Sequence, residues 1–159
     1  AVYDFGNSSE PDSPEGEAIT SALTGVATDA ARLTVVIGGD NSVTFAAMRG
    51  ASPVLGRAGL ITFDAHHDLR DGVSNGSPVR RLIDAGLPGH QVVQIGIADF
   101  ANSAAYAERA RDYGIHVITR ADLRELRPAE VKSLGHQISS KWSKLGTHAS
   151  GNSGSSHAK

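Results

Sequence analysis

The sequence predicts an α/β fold in which helices cover both faces of a mostly parallel β-sheet. Two observations lead to this class. Short apolar runs alternate with stretches of about ten residues in which apolar side chains have a helical spacing, and this alternation is typical of β-α-β units. Aromatic residues make up only 5% of the 159 residues, while glycine occurs 18 times. This composition suits a tightly packed α/β core better than a β-sandwich.

The first half of the chain gives two predicted helices and two predicted strands. Apolar residues recur at helical steps over residues 17–32, which predicts a helix. Residues 33–37 form a short, nearly all apolar run, which is typical of a strand buried on both faces of a parallel sheet. A second helix is predicted over residues 43–49, and a second buried strand over residues 59–63.

The second half of the chain repeats this alternation. Gly86 and Gly114 each follow a helical stretch, and glycine is the residue that most often ends a helix. Arg80 and Arg81 are predicted to lie on a solvated helix face. The predicted elements are a helix over 77–85, a strand over 91–97, a helix over 103–113, a strand over 115–118, and short helices over 121–126 and 128–134.

Composition divides the chain into two parts. Residues 1–134 carry the alternating pattern and are predicted to form an α/β domain, and a chain of 159 residues is long enough to bury a core. Residues 135–159 are rich in glycine and serine and offer no further strand. We therefore predict a flexible tail there.

Charge and residue usage exclude several classes of function. The formal net charge is -2, so nothing favours nucleic acid or an anionic membrane surface as a partner. The chain has no cysteine, which excludes disulfides, thiolate zinc sites and cysteine nucleophiles. No apolar run approaches the roughly 20 residues of a membrane-spanning helix, and no signal peptide is recognised. We therefore expect a cytoplasmic protein with a small-molecule partner.

Three ligand-type side chains alternate directly after the predicted strand 59–63. In an extended chain, Asp64, His66 and Asp68 would point to one side and His67 to the other. Two carboxylates and an imidazole suit Mn²⁺, and suit Fe, Co or Zn less well. The alternative interpretation is that these are exposed polar residues at a strand end. Their place directly after a buried strand favours a metal site.

Five short motifs resemble those of the ureohydrolase family, which includes arginase, agmatinase and formimidoylglutamase. Residues 63–68 match the family's DAHxD motif, the more specific of its two metal motifs seen here. The other segments resemble, in the family's order, its DxGD, GGDHS, HGTP-like and GIR motifs: residues 4–7, 38–42, 75–78 and 94–97. With Arg70 and a non-histidine at Asn75, the sequence looks closest to bacterial formimidoylglutamases and agmatinases.

The resemblance implies a three-layer, arginase-like α/β/α sandwich that hydrolyses linear amidines. It implies two Mn²⁺ ions with a bridging hydroxide, with Asp64 bridging both ions and His66 and Asp68 each binding one. Two cations lower the pKa of a bound water, so that a nucleophile exists at neutral pH. The resemblance also implies a homo-oligomer. No residue is identified as the general acid for the leaving amine.

Two departures from the family pattern reduce the expected activity. Asn41 stands where the family has a histidine ligand, and a neutral amide oxygen is a weaker ligand than imidazole. The aspartate pair of the family's last motif is absent after Val131. We therefore expect the central part of a family domain, with weak metal binding and little hydrolysis. The alternatives are an inactive family member that binds a ligand or joins an oligomer, and an unrelated α/β binding module.

Three further residues are candidate substrate ligands. Arg70 could pair with a substrate carboxylate through its two-pronged guanidinium. Alternatively, Arg70 points to solvent or pairs with Asp71. Asn75 and Ser77 could hydrogen-bond the polar end of a formimidoylglutamate or guanidino substrate, although this Asn-Gly sequence is also typical of a turn.

Overall fold

The architecture is given by a computed structural model that describes residues 2–10, 13–125 and 130. The chain divides after Arg120 into two units, and the second is described only at residues 121–125 and 130. The predicted helix over 128–134, apart from Glu130, and the predicted tail over 135–159 lie outside the described residues. The predicted domain boundary at residue 134 therefore stays a prediction.

The five predicted helices that fall within the described residues are present, with ends shifted by a few residues. The first begins after Ser13, whose hydroxyl accepts the Gly16 N–H at 2.9 Å, and Pro14 at its first position favours a helix start. The helices are α1 (Pro14–Ala30), α2 (Val43–Ala51), α3 (Pro78–Asp84), α4 (Ala104–Asp112) and α5 (Arg120–Glu125). Short 3₁₀ helices, which were not predicted, occur at Leu55–Arg57, Gly89–Gln91 and Asp99–Ala101. None of the helices in the described residues is long and apolar enough to cross a membrane.

Three of the predicted strands form one parallel sheet. The strands are β1 (Leu60–Phe63), β2 (Val92–Ile97) and β3 (His116–Thr119), in the spatial order β1-β2-β3. Leu60 lies opposite Val92, and Val93 lies opposite His116. β2 is therefore the central strand of the described sheet. The predicted α/β class with a parallel sheet is confirmed.

The predicted strand over residues 33–37 is wrong. These residues form no strand, and their apolar side chains are exposed, with Leu33 80% and Ile37 92% accessible. A strand needs a neighbour to pair its backbone N–H and C=O groups, and no strand in the described part of the chain lies against this run. The run instead borders a cavity of about 1000 Å³, together with the N-terminal residues and α1.

The prediction that the strand over residues 59–63 is buried is also wrong for one face of β1. Phe63 is 80% exposed and Ile61 is exposed as well, whereas Leu60 packs against the core. Successive side chains of a strand point to opposite faces. One face of β1 is therefore covered and the other is open.

The hydrophobic core lies between the sheet and helices α2, α3 and α4. Val79 and Leu82 of α3 are fully buried and belong to one cluster with Val92 of β2 and Ala110 of α4. Leu69, in the loop after β1, is fully buried in the same cluster. The core therefore anchors the loop that carries the candidate metal ligands.

Arg81 joins three helices and does not lie on the solvated face that the sequence predicted. Its guanidinium donates to both carboxylate oxygens of Glu17, at 2.6 and 2.7 Å, and lies 3.7 Å from the centre of the Phe45 ring. Glu17 belongs to α1 and Phe45 to α2, so the Arg81 side chain ties both helices to α3. An aromatic face and a two-pronged carboxylate explain how an arginine is accommodated in a largely buried position.

Candidate functional site

A cavity of about 540 Å³ opens at the carboxyl ends of β1 and β2. This is the edge at which open α/β sheets bind their ligands. Six of the seven residues that the sequence predicted as ligands line the cavity, and Ser77 does not. The six are Asn41, Asp64, His66, Asp68, Arg70 and Asn75, and the lining also includes Asn102, Ser103 and Tyr106.

Asp64 and His66 form a local hydrogen-bonded pair in the cavity wall. Oδ1 of Asp64 accepts the backbone N–H of His66 at 2.8 Å, and the same oxygen lies 3.1 Å from Nδ1 of the His66 ring. Both side chains remain partly exposed. The turn therefore holds a carboxylate and an imidazole side by side.

Asp68 is the buried carboxyl group of the site. It is 7% exposed, and its φ of 54° lies in the left-handed region, which Asp tolerates better than most residues. Burial raises the pKa of Asp68 to about 6, and the negative charge of Asp64 adds to this shift. Ionisation of Asp68 is therefore less favourable than that of an exposed aspartate.

Asn41 contacts Asp68 through its amide nitrogen. Nδ2 of Asn41 donates to Oδ2 of Asp68 at 2.5 Å. Oδ1 of Asn41 accepts the hydroxyl of Thr44 at 2.6 Å. The amide oxygen, which is the atom that could bind a metal, is thus engaged by a residue of α2.

The comparisons with known proteins agree with this fold and cavity. The sequence matches the family model of the Arginase family over residues 1–144. The chain belongs to the arginase family. Formimidoylglutamase from Halalkalibacterium halodurans, a relative, is 44% identical over 94 residues, which are 56% of this chain and 30% of that protein.

Solved structures of the arginase family show the same partial correspondence. The crystal structure of formimidoylglutamase from Bacillus subtilis matches with a TM-score of 0.71 and 27% identity, over 80% of this chain and 42% of that chain. Trypanosoma cruzi formiminoglutamase with Mn²⁺ matches with a TM-score of 0.62 and 26% identity, over 77% of this chain and 42% of that chain. The chain therefore spans less than half the length of these relatives. Its parallel sheet and helices form part of an arginase-like fold.

The donor chemistry of the cavity fits the type of metal seen in the arginase family. Asp64, Asp68 and His66 supply carboxylate oxygens and an imidazole, which suit Mn²⁺, and a cation would stabilise the ionised Asp68. The set is incomplete as arranged. Among residues 2–10, 13–125 and 130, no three His, Asp or Glu side chains converge closely enough to hold a metal ion. The cavity therefore offers part of a ligand set.

Arg70 lies across Gly76 at the cavity wall. The Arg70 N–H donates to the Gly76 C=O at 3.0 Å, and a Cβ on Gly76 would lie 2.8 Å from Cδ of Arg70. Gly76 therefore leaves the space that the Arg70 side chain occupies. Asp71 pairs with Arg109 at 2.8 Å, so the alternative in which Asp71 pairs with Arg70 is wrong. Arg70 is exposed, as the other alternative, a solvent-facing side chain, predicts.

Asn75 and Ser77 have different places in the same loop. Asn75 lines the cavity and hydrogen-bonds Asp40, where it adds to the stronger hydrogen bonds from Ser42 that lower the pKa of Asp40. Ser77 is fully buried. Its hydroxyl accepts the Ser74 N–H at 2.9 Å and donates to the Ser74 C=O at 2.8 Å. Ser77 therefore shapes the turn that presents Asn75.

Two arginines hold the loop after Asp68. The sequence analysis did not assign either of them to the site. Arg80 donates from Nε to the Arg70 C=O at 2.7 Å and from its guanidinium to the Gly72 C=O. Arg109 of α4 donates to the Leu69 C=O at 2.7 Å. The prediction that Arg80 lies on a solvated face is wrong, because its donors are engaged by this loop. No motif signals contacts between residues that lie so far apart in the sequence.

Gln94 and Asn102 also hold the site and were missed in this role. Gln94 is fully buried in β2 and bonds to His67, which points away from the cavity as predicted. Asn102 follows β2 and bonds to the backbone of the same loop. A single amide side chain inside an apolar strand was the signal that could have found Gln94, because buried polar groups need partners.

Proposed function

We propose that this chain forms part of a metal-dependent hydrolase that cleaves a C–N bond in linear amidines, either formimidoylglutamate or an agmatine-like guanidino compound. One observation carries the proposal: Asp64, His66, Asp68 and Arg70 line a single cavity at the carboxyl edge of the sheet. Membership of the arginase family and the relatives named formimidoylglutamase support it.

Asp64, His66 and Asp68 would hold the metal, which we propose to be manganese. When bound, such an ion supplies a hydroxide nucleophile at neutral pH and positive charge beside the reacting carbon. Asn41 would contribute weakly, because its amide oxygen is engaged by Thr44 and its amide nitrogen faces Asp68. The turn between Asp64 and His66 keeps both side chains on the same wall before any metal binds.

Arg70 favours an acidic substrate. Arg70 is one of the residues that line the cavity, it is exposed, and its neighbour Asp71 pairs with Arg109 instead. A guanidinium binds a carboxylate through two parallel hydrogen bonds and repels a cationic amine. Among the amidines considered, formimidoylglutamate carries carboxylates, whereas agmatine carries a second cation. We therefore propose formimidoylglutamate as the preferred substrate.

The metal site is tested by measuring bound manganese. The full chain is incubated with Mn²⁺ and desalted, and its metal content is determined by mass spectrometry. Because the ligand set is incomplete, we expect weak binding of at most about two Mn²⁺ per chain, and loss of the metal in Asp64→Ala. Asp29→Ala, which removes an exposed carboxylate on α1, is the matched control and should retain the metal. Absence of manganese from the wild type, or its retention in Asp64→Ala, would contradict the proposal.

The substrate is tested by assaying formimidoylglutamate, agmatine and arginine with added Mn²⁺. Because the ligand set is incomplete, we expect slow turnover of formimidoylglutamate. Its KM should rise in Arg70→Gln and recover in part in Arg70→Lys, which keeps the charge but loses the two-pronged geometry. Faster turnover of agmatine than of formimidoylglutamate would overturn the substrate choice. It would leave the metal site untouched.

A second candidate function is supported by the incomplete ligand set. The Asn41 amide donates to Asp68, and no three metal-binding side chains converge in the described residues. We propose as the alternative a catalytically inactive, arginase-like protein that binds a ligand or joins a homo-oligomer. Light scattering of the purified chain tests the oligomer. Bound substrate without turnover in the manganese-loaded protein would favour this alternative over the hydrolase.

A further inference from the structure

The loop that carries the candidate metal ligands is held by side chains that point away from the cavity. Gln94 of the central strand and His67 of the loop bond to each other twice. Nε2 of Gln94 donates to the backbone C=O of His67 at 2.8 Å, and Oε1 of Gln94 lies 2.7 Å from Nδ1 of the His67 ring. Gln94 is fully buried and His67 is 3% exposed. Both contacts are therefore shielded from water.

The two contacts together determine the orientation of the Gln94 amide and the ring nitrogen of His67 that carries the proton. A backbone carbonyl can only accept, so the NH₂ group of Gln94 must face the His67 carbonyl. The amide oxygen of Gln94 then faces the His67 ring, and Nδ1 must carry the proton that it accepts. Each residue thus defines the orientation of the other.

Asn102 fastens the same loop from the turn that follows β2. Its Oδ1 accepts the His67 N–H at 2.9 Å. Its Nδ2 donates to the backbone carbonyls of Ala65 at 2.8 Å and Ala98 at 2.9 Å. Together with Gln94, this side chain holds the N–H of His67, the C=O of His67 and the C=O of Ala65.

The next residue, Asp68, depends on this anchoring. Its φ of 54° is an unusual conformation for a residue with a side chain, and such conformations persist where the surrounding structure fixes them. The Asp68 carbonyl accepts the N–H of Arg80 at 3.2 Å. Arg80 lies in the first turn of α3, where backbone N–H groups have no partner within the helix. The loop is therefore fixed on both sides of Asp68.

We propose that His67, Gln94 and Asn102 are positioning residues. Their hydrogen bonds hold the backbone from Ala65 to Asp68 so that the Asp64, His66 and Asp68 side chains line the cavity. The effect on Mn²⁺ affinity rests on the proposed function, because it requires that the chain binds the metal. The effect on hydrogen exchange of the loop does not depend on metal binding.

The test compares His67→Leu with His67→Asn in the full chain. Asn places an amide donor near the position of Nδ1 and keeps the bond to Gln94, whereas Leu removes it. Two quantities are measured: Mn²⁺ affinity by calorimetry, and hydrogen exchange of the Arg80 amide, which reports its bond to Asp68. His90→Asn, at an exposed histidine, is the matched control. Amides of α1 report the stability of the rest of the fold.

In His67→Leu we expect Mn²⁺ affinity to fall about tenfold, in line with changes in groups that support metal ligands. We also expect the Arg80 amide to exchange about tenfold faster, because the loop that it bonds opens more easily. Exchange in α1 should not change, and His67→Asn should restore both quantities to about threefold of the wild type. Wild-type values in folded His67→Leu would overturn the proposal. A His67→Asn as impaired as His67→Leu would also overturn it.

If His67→Leu does not fold, a second variant, Asn102→Ala, tests the proposal. Asn102 is only partly buried, so Asn102→Ala should fold and should speed exchange of the His67 amide about tenfold, while α1 stays unchanged. Unchanged exchange at His67 would overturn the proposal. A wild type that binds no Mn²⁺ would contradict the proposed function, and the amide exchange would still decide whether these residues position the loop.

Discussion

Two regions of the chain have the same sequence pattern and different structures. Residues 33–37 and β1 are both short apolar runs followed by a polar motif. β1 pairs with β2, and one of its faces packs on the core. Residues 33–37 pair with no strand in the described part of the chain, and Ile37 is 92% exposed. An apolar run therefore gives a strand only where a neighbour completes its backbone hydrogen bonds.

The polar motifs after the two runs are also held differently. In the first, Ser42 donates its N–H to Asp40 at 2.8 Å, and Thr44 bonds Asn41, so the contacts join residues close in sequence. In the second, Gln94 and Asn102 hold the loop around His67 across many residues. The first motif is held mainly by its own turn, with Asn41 also bonding Asp68. The second is held by the neighbouring strand and the turn after it. Four predictions test this difference.

The largest effect is expected when the long-range anchor is removed. Gln94→Leu leaves two buried groups of His67 without partners, and each such group costs about 1–3 kcal/mol. We therefore expect the free energy of unfolding to fall by about 2–4 kcal/mol in chemical denaturation. The control is Thr62→Val. Thr62 lies opposite Gln94, and its buried hydroxyl has no partner among the described residues. This variant removes an unpaired buried hydroxyl and should therefore be at least as stable as the wild type. Equal losses in both variants would refute the anchoring role.

The next effect concerns Arg81, which ties the helices on either side of residues 33–37, α1 and α2, to helix α3, which follows β1. Arg81→Met keeps an apolar stem beside Phe45 but removes the bonds to Glu17 that tie α1 to α3. We expect a loss of about 1–2 kcal/mol, because a charged carboxylate is left in a largely buried place. Arg111→Met, at an exposed position on α4, should change stability by less than about 0.5 kcal/mol. A double-mutant cycle with Glu17→Gln would measure the coupling, and a coupling near zero would argue against the tie.

The pH dependence of stability should reveal the buried carboxyl group of Asp68 in the second motif. The pKa of Asp68 is raised to about 6 in the folded chain, so between pH 4 and 6 the folded state binds more protons than the unfolded state. The free energy of unfolding therefore falls as pH rises through this window. Asp68→Asn removes the titration, and Asn also tolerates a positive φ. In metal-free buffer its stability relative to wild type should increase from pH 4 to 6 and then level off. A pH-independent difference for Asp68→Asn would speak against the raised pKa.

The smallest effect is expected in the first region. Ile37→Thr alters an exposed side chain and should change the free energy of unfolding by less than about 0.5 kcal/mol. Ile97→Thr makes the same substitution in β2, where the side chain is 4% exposed, and should cost about 2 kcal/mol. Similar losses at the two positions, in denaturation of dilute protein, would show that residues 33–37 are packed in solution.

Local patterns predicted much of this fold. Helical spacing and capping residues gave α1 to α4, and apolar runs bounded by turn residues gave β1 to β3. Asp64, His66 and Asp68 do line one cavity. The extended chain from which this was predicted is wrong, because β1 ends at Phe63, the backbone bends after it and Asp68 has a left-handed φ. Patterns failed where the answer depends on distant residues. A run such as 33–37 does not reveal whether a neighbouring strand is present, and Arg81 does not reveal that Glu17 lies beside it. Asn102 belongs to no motif, and the motif-like segment 94–97 does not reveal that Gln94 bonds the His67 ring and backbone. Most of the other partners are backbone groups, which every residue has.

The parallel sheet also has a consequence for how fast the chain reaches its folded state. Leu60 must find Val92, and Val93 must find His116, so each pairing closes a long stretch of chain that includes a helix. Non-local pairings of this kind slow folding, since the entropy of loop closure is lost before the contacts form. Contacts within the helices and in the Asp40–Thr44 turn are short in sequence. They should therefore be in place early, and alignment of the three strands should set the folding time.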